Sequence, residues 1–266
     1  MLEVSGITKH FDGVHAVDNA SLKISQATIT SLIGPNGAGK TTLFNIICGY
    51  IEPDKGAVQF NGKNLNGCAP HERASAGIGR TFQNMRLIKR LSALENLMLA
   101  FNYISPPLTG GDEGEGEKGE GVSENPGFIK TLFYSISRTH EIKNKEKAYE
   151  LLDFVGMKDK VYEPAGSLSY GQQKLLSLAC CLALDAKLLM LDEPVAGVNQ
   201  ETIHKILSLF RELKKSGITI FLIEHNMDAV MEISDRLIVM DEGRIIADGI
   251  PSEVKEKPEV IEAYIS

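Results

Sequence analysis

The stretch GPNGAGKTT, residues 34–42, constrains the fold of this chain more than any other part of the sequence. It follows the apolar run TITSLI and precedes LFNII, which indicates a buried strand before the loop and a helix after it. Gly34, Gly39, Lys40 and Thr41 fit the spacing G-x-x-x-x-G-K-[ST] of a phosphate-binding loop in that context. The pattern predicts a bound nucleoside triphosphate.

The residue types in this stretch suit phosphate groups. Glycines at positions 34, 37 and 39 keep side chains away, so that successive backbone N–H groups can surround the β- and γ-phosphates. The Lys40 ammonium adds a positive charge, the helix that starts near it adds its N-terminal dipole, and the Thr41 hydroxyl can bind Mg²⁺. The other loop residues expected at the nucleotide are Pro35, Asn36, Ala38 and Thr42. A glycine-rich turn without a ligand is the alternative.

A second candidate site element is KLLMLDEP, residues 187–194. The apolar run reads as a strand that ends in Asp192, which places a carboxylate at the sheet edge where the phosphate loop also lies. Asp192 can then hold Mg²⁺, and Glu193 can act as a general base on the attacking water. The alternative is that the two acidic residues form a solvated turn.

The order of patterns along the chain predicts an α/β fold. Short apolar runs at TITSLI, KLLMLD, GITIFLIE and RLIVMD read as buried strands, separated by segments with helical spacing. Such alternation is typical of parallel strands covered by helices on both faces. The run MDEGRIIADG differs, because its D-E-G turn between two short β-like stretches predicts a hairpin.

Composition excludes several classes of protein. The 266 residues are 43% hydrophobic, yet the most apolar stretch, LLSLACCLAL at 175–184, is too short for a membrane span of roughly 18 residues or more. The start, MLEVSGITKHFDG, lacks the apolar core of a signal peptide, so we expect no export. Four cysteines without a C-x-x-C pair fit a reducing cytoplasm. A net charge of −7 argues against nucleic-acid binding.

One segment, residues 105–127, differs from the rest in composition. It is rich in Gly, Pro and Glu, and its stretch 112–124 contains six acidic residues and one lysine. Because it has almost no apolar side chains to bury, we expect a disordered surface loop. A docking site for a basic partner or a regulator is the alternative.

Further motifs give the chain a family resemblance. LSYGQQK at 168–174, with Ser169 lying 23 residues before Asp192, resembles the signature motif of the ATP-binding cassette ATPases. Gln83 in RTFQNMRL is similar to the Q-loop glutamine of that family, and His225 in FLIEHNMD to its switch histidine. Phe11 stands where the family places an aromatic residue that stacks on adenine. The resemblance covers residues 11–225.

The resemblance implies a P-loop NTPase fold with a mixed sheet core, an antiparallel β part and an inserted helical signature subdomain. Its expected boundaries are residues 1–84 and 185–250 for the nucleotide-binding core, 85–184 for the helical subdomain, and 251–266 for a C-terminal helical tail.

The family's function is implied in the same way. Two cassettes face each other head to tail, so that ATP on the phosphate loop of one is capped by Ser169 and Gly171 of the other. Val17 and Gln172 are further expected nucleotide contacts, Gln83 is an expected Mg²⁺ ligand, and Gln83 and His225 join Glu193 as expected catalytic residues.

Within the family, the chain is most similar to the ATPases of branched-chain amino-acid importers. The resembling stretches include GIGRTFQNMRLIKRLSALENLMLA, LDEPVAGVN and IEHNMDAVMEISDRLIVMDEGRIIADGIPSEV. Tyr170 replaces the usual second glycine of the signature, and Asn199 the usual aspartate of the D-loop; both departures are familiar in this subgroup.

The resemblance therefore implies an importer ATPase on the cytoplasmic face of the inner membrane. Its expected partners are integral membrane permease subunits, a second cassette and, indirectly, a solute-binding protein. Met85, Leu87, Ile88 and Leu91 are then expected in an exposed apolar groove that receives a permease helix, with ordinary core packing as the alternative. The alternative function is a soluble cassette ATPase acting on nucleic acid or ribosomes.

Overall fold

The computed structural model describes residues 1–81, 87–104 and 141–265, with the side chains of 102–104 and 265 left aside. The strands are β1 (Leu2–Phe11), β2 (Val14–Ile24), β3 (Ile29–Ile33), β4 (Lys55–Phe60), β5 (Lys63–Asn64), β6 (Ile78–Arg80), β7 (Leu188–Asp192), β8 (Thr219–Ile223), β9 (Arg236–Asp241) and β10 (Arg244–Gly249). The helices are α1 (Lys40–Ile47), α2 (Pro70–Ser75), α3 (Ala93–Ile104), α4 (141–154), α5 (Tyr170–Leu182), α6 (Gln200–Lys215), α7 (Met227–Ile233), α8 (Pro251–Val254) and α9 (Pro258–Ile265).

A six-stranded sheet forms the centre of the fold, in the order β10-β9-β3-β8-β7-β6. The pairs β3/β8, β3/β9, β7/β8 and β6/β7 are parallel, which confirms the predicted parallel strands. Every residue of β3, β7 and β8 is buried, as expected for strands covered on both faces. The predicted hairpin is also confirmed, because β10 pairs antiparallel with β9.

The residues of the hairpin turn suit the backbone conformation that the turn requires. Glu242 has φ +43° and Gly243 has φ +81°, the two positive values that a type I′ turn requires. The turn also reaches the phosphate loop, because the Gly243 N–H donates to the Ala38 carbonyl over 3.1 Å. On its other side the Asp18 N–H donates to the Gly243 carbonyl over 2.8 Å. The hairpin therefore joins β2 to the loop.

A second, antiparallel sheet in the order β2-β1-β4-β5 packs with α1 on one side of the central sheet. Their shared core includes the apolar face of α1 and the inward side chains of β1 and β2. The Phe44 ring of α1 lies 4.7 Å from the Phe221 ring of β8, centroid to centroid. This arrangement confirms the expected antiparallel β part beside a mixed sheet.

Helices α3 to α6 cover the opposite face. The buried residues of α6 recur at helical spacing, and they pack with α5 and with the β7 and β8 side chains Leu189, Leu191 and Leu222 in one continuous core. These helices and the sheet share one core, so the core does not divide the chain into separate parts. The boundaries of the helical subdomain at residues 85 and 184 therefore stay a prediction.

The C-terminal helices pack on the hairpin through a smaller core, in which Val254 and Val260 contact strands β9 and β10. Within the described ranges, no helix combines the length and apolarity needed to cross a bilayer.

Two neighbouring cysteines, Cys180 and Cys181, lie in α5. Burial raises the pKa of the Cys180 thiol to about 12, and it raises the pKa of the Cys181 thiol even more. Both therefore stay as uncharged thiols packed like small apolar side chains. The acidic segment 105–127 lies outside the described residues.

Candidate functional site

The phosphate loop connects β3 to α1, and close backbone contacts explain two of its glycines. A Cβ atom on Gly34 would lie 1.9 Å from the Met240 carbonyl oxygen, where β9 passes beneath the loop. A Cβ on Gly39, which has φ +93°, would lie 2.1 Å from the Ala16 carbonyl oxygen of β2. Any side chain at either position would push the loop away from the strands that support it.

The open side of the loop suits an anion. Gly37 has φ +87°, and a Cβ placed there would meet no atom within 4 Å. The N-cap of α1 is Gly39, without a side-chain hydrogen bond, so no side chain caps the first turn of this helix. Helix N-termini of this kind attract phosphate through their N–H groups and dipole. Asn36, Gly37 and Thr41 are exposed at this mouth, whereas Pro35 and Thr42 are half-buried and Ala38 is buried.

Lys40 lies almost buried under the loop, 6% exposed. Its Nζ donates to the Gly34 carbonyl over 2.8 Å and to the Pro35 carbonyl over 2.7 Å. Burial lowers the pKa of Lys40, while the charges of Glu193 and Asp192 raise it. The structure therefore brings the phosphate loop and the predicted carboxylate pair into one electrostatic environment.

Asp192 ends β7 as predicted, and an arginine that the sequence analysis missed lies beside it. Arg80, the last residue of β6, places Nη2 3.6 Å from Asp192 Oδ2, with both side chains 7% exposed. The other Arg80 terminal nitrogen donates to Asn45 Oδ1 of α1 over 2.6 Å. Burial raises the pKa of Asp192, and the Arg80 charge opposes that shift. Arg80 thus ties the carboxylate of β7 to the helix that follows the phosphate loop.

Glu193 follows Asp192 in a left-handed conformation with φ +50°, which costs a non-glycine residue roughly 1–3 kcal/mol. Its N–H donates to the Ile223 carbonyl over 2.9 Å. Its side chain points toward the predicted switch histidine, and the distance from Glu193 Oε1 to His225 Nε2 is 3.3 Å. The structure therefore brings these two expected catalytic residues into contact.

Glu224 is a second functional residue that the sequence analysis missed. It is 3% exposed at the end of β8, and its Oε1 accepts the Val195 N–H over 2.7 Å. Its Oε2 accepts the N–H groups of His225 at 3.1 Å and Asn226 at 3.4 Å. Burial raises the pKa of Glu224, and these three N–H groups oppose the shift. One carboxylate therefore fixes the backbone around both Glu193 and His225.

The signature residues form the start of α5. Ser169 is its N-cap, and Ser169 Oγ accepts the Gln172 N–H over 3.3 Å. Gln172 Oε1 in turn accepts the Ser169 N–H over 2.9 Å, which completes a capping box. A Cβ on Gly171 would lie 3.0 Å from Thr202 Cγ2, so α5 approaches α6 closely here. The Ser169 hydroxyl proton is still able to bond a ligand.

Two expected nucleotide contacts lie on the first two strands. Phe11, at the end of β1, is 43% exposed, and Lys9 Nζ lies 5.5 Å from its ring centroid. An exposed ring at this position can stack on a base. Val17 is 0% exposed within the core of β2, so its burial favours a core role over the predicted nucleotide contact. Gln83 lies outside the described residues.

The chain's residues fit a nucleotide with its metal. Thr41 and Asp192 offer a hydroxyl and a carboxylate oxygen, and Mg²⁺ in such sites takes one or two protein oxygens together with phosphate oxygens. The phosphate loop, Lys40 and the uncapped start of α1 together supply the donors and positive charge that a triphosphate needs.

Comparisons with known proteins agree with this geometry. Residues 17–196 match the family described as ABC transporter. Over 267 residues the chain is 37% identical to the high-affinity branched-chain amino acid transport ATP-binding protein BraF of Pseudomonas aeruginosa, covering 100% of this chain and 97% of that protein. It is 36% identical over 268 residues to the probable branched-chain amino acid transport ATP-binding protein LivG of Archaeoglobus fulgidus, covering 100% and 95%.

A solved structure extends the similarity to three dimensions. An ATP-binding cassette of an ABC transporter in its ADP conformation superimposes with a TM-score of 0.80 at 33% identity, covering 100% of this chain and 98% of that one. The family match spans more than half of this chain, and the relatives match along its whole length. The chain therefore belongs to the ABC transporter family, as one of its ATP-hydrolysing cassettes.

Proposed function

We propose that this chain drives the import of branched-chain amino acids or a related small polar solute. The contact of Glu193 with His225 beside the phosphate loop carries the hydrolytic part of the proposal. The full-length similarity to two branched-chain amino acid transport ATP-binding proteins supports the class of cargo.

In this proposal ATP binds along the phosphate loop, with its base on the exposed Phe11 ring. Backbone N–H groups of residues 36–42 bind the phosphates, and Lys40 exchanges its two carbonyl partners for phosphate oxygens. Thr41, Asp192 and Gln83 would hold Mg²⁺. When bound, that ion neutralises charge on the phosphates and so aids departure of the ADP leaving group.

Glu193 then acts as the general base. Its carboxylate accepts a proton from a water molecule while the water oxygen attacks the γ-phosphorus, and the bond from that phosphorus to the β–γ bridging oxygen breaks. ADP and inorganic phosphate are the products. His225 Nε2, 3.3 Å from Glu193 Oε1, holds the carboxylate in orientation during this step.

The proposal includes a second cassette, arranged head to tail. Ser169, Gly171 and Gln172 lie at the N-terminus of α5, whose N–H groups and dipole suit the γ-phosphate bound to the other cassette. Each hydrolytic site is then completed only when two cassettes meet. A homodimer and a heterodimer with a different cassette are both compatible with this arrangement.

A surface cavity of about 300 Å³ is the proposed contact for the membrane permease subunits. Its apolar lining includes Leu87, Ile88 and Leu99, and Ile88 and Leu99 are 49% and 46% exposed. Lys89 and Arg90 are exposed beside it. Exposed apolar side chains framed by charges are typical of protein contact sites. Binding there would place the chain on the cytoplasmic face of the inner membrane.

Purification from membranes tests this proposal. A tagged chain extracted in mild detergent should be recovered with integral membrane subunits and a cassette partner. In proteoliposomes with the solute-binding protein, leucine should raise the rate of ATP hydrolysis, whereas a dissimilar solute such as a sugar should leave it at the basal level. Recovery of RNA or DNA at a fixed ratio, without membrane subunits, would contradict the proposal.

A further inference from the structure

Lys174 is a charged residue of the signature helix α5 to which the roles described above assign no function. It lies in the second turn of α5, half-buried, with its Nζ 2.5 Å from the backbone carbonyl oxygen of Glu193. The ammonium group also lies over the signature tyrosine, with Nζ 5.4 Å from the Tyr170 ring centroid. The ammonium group thus connects the helix that begins at Ser169 to the backbone of the proposed base.

The carbonyl that Lys174 contacts belongs to a residue in an unfavourable conformation. Glu193 has φ +50°, and its carbonyl also accepts the Ala196 N–H over a longer 3.3 Å. A non-glycine residue keeps a left-handed backbone conformation only where the contacts around it stabilise that conformation. The hydrogen bond from the Lys174 ammonium to this carbonyl is charge-assisted, so it helps to hold Glu193 in its left-handed conformation.

The residues that follow Glu193 are held by a second charged side chain, that of Glu224. Glu224 accepts the Val195 N–H over 2.7 Å and the His225 N–H over 3.1 Å. The positive Lys174 and the negative Glu224 therefore hold the segment 193–195 between them. Burial lowers the pKa of Lys174, and the charges of Glu224, Glu193 and Asp192 oppose that shift.

We propose that Lys174 is a positioning residue for Glu193, so that the signature helix sets the conformation of the base in its own chain as well as presenting Ser169. This inference rests on the proposed role of Glu193 as the base. Lys174 does not touch the reacting atoms. It acts by fixing the Glu193 backbone, from which the carboxylate is aimed at the water.

The test compares Lys174→Met with Lys174→Arg. Methionine keeps the apolar stem and removes the donor, whereas arginine restores a cationic donor. We expect Lys174→Met to lower kcat for ATP hydrolysis about 10- to 100-fold, the effect of a displacement of roughly 1 Å, with KM within about twofold. Lys174→Arg should recover kcat to within about threefold of wild type.

Lys205→Met is the matched control. Lys205 on α6 also donates to a backbone carbonyl, that of Gly156 over 3.1 Å, but away from Glu193. It should leave kcat unchanged. If Lys174→Met melts several degrees below wild type, Lys174→Gln replaces it, because glutamine is polar but too short to reach the Glu193 carbonyl. A wild-type kcat in the folded variant would overturn the proposal.

A double variant separates this inference from the function on which it rests. If Lys174 acts through Glu193, adding Lys174→Met to Glu193→Gln should lower turnover no further than about twofold. A further tenfold loss would show that Lys174 acts elsewhere and would overturn the positioning role while leaving the base assigned. Wild-type turnover in Glu193→Gln alone would remove the base, and the positioning role with it.

Discussion

At the scale of single residues, the backbone conformation of a site residue decides where its side chain points, and it is as important for the site as the residue type. Glu193 has φ +50°, and three residues contact the backbone around it: Ile223 of β8, Lys174 of α5 and, through Val195, Glu224. The carboxylate is thereby directed to His225 rather than left in solvent. An acidic residue after a strand is common, but one held from so many sides is a candidate for catalysis.

Replacing Glu193 with Gln should lower ATP turnover by about 100-fold or more, because the amide cannot accept the proton from water. ATP binding should survive, since the phosphate loop is unchanged, and the ATP-bound dimer should accumulate. Turnover and nucleotide affinity are measured separately. Wild-type turnover in this variant would exclude Glu193 as the base.

Lys40→Ala provides the contrasting control for that variant. It should weaken ATP affinity roughly 10- to 150-fold, through loss of a charge-assisted contact of about 1.5–3 kcal/mol. Lys40 Nζ also bonds the Gly34 and Pro35 carbonyls, so its loss loosens the loop as well. An affinity equal to that of wild type would refute a role for Lys40 at the phosphates.

At the scale of elements, the starts of helices determine where site residues lie. The Ser169–Gln172 capping box precedes and starts α5, and Asn199 is the N-cap of α6, where its Oδ1 accepts the Thr202 N–H over 2.9 Å. Asn199 stands where most cassettes carry aspartate, and the structure gives a physical reason why either residue is accepted. Both side chains are strong N-caps.

Replacing Asn199 with Ala should therefore lower the free energy of unfolding by about 1 kcal/mol. The melting temperature should fall by about 2–4 °C, as expected for a domain of this size. Asn199→Asp should melt within about a degree of wild type, because aspartate accepts the same N–H. Calorimetry on the three proteins measures the difference. If the alanine variant and wild type have the same melting temperature, the Asn199 cap contributes nothing measurable to the free energy of unfolding.

At the scale of the whole molecule, charge is distributed unevenly. The chain carries a net charge of −7, and the six acidic residues and one lysine of the stretch 112–124 account for −5 of it, leaving −2 elsewhere. Acidic side chains repel phosphate, so a direct part of this stretch in ATP binding is physically unfavourable. The contribution of this stretch to stability and turnover stays a sequence-based prediction.

Deleting residues 109–124 should leave the melting temperature within a few degrees of wild type and ATP turnover within about twofold. The segment contains almost no apolar side chains, so its removal forfeits little buried surface. Thermal melting and steady-state hydrolysis measure both quantities. A large loss of stability would mean that the segment packs against the rest of the chain.

The sequence by itself determined the fold class and most of the candidate site. Local patterns were sufficient for this, because continuous apolar runs predict buried strands and the G-x-x-x-x-G-K-[ST] spacing predicts the loop between β3 and α1. Asp192 and Glu193 followed from their place after an apolar strand. The hairpin followed from its turn residues.

Only the tertiary structure decided which distant residues support that site. Arg80 meets Asp192, and Lys174 meets the Glu193 carbonyl, because β6 and β7 are neighbours and α5 packs beside them. Val17 of β2 is buried in the core that the antiparallel sheet forms with α1, which only the packing of these elements reveals. The sequence around a charged residue does not indicate which distant residue it will contact. Those contacts depend on strand order and helix packing across the whole chain, as they do for Arg80, Lys174 and Glu224.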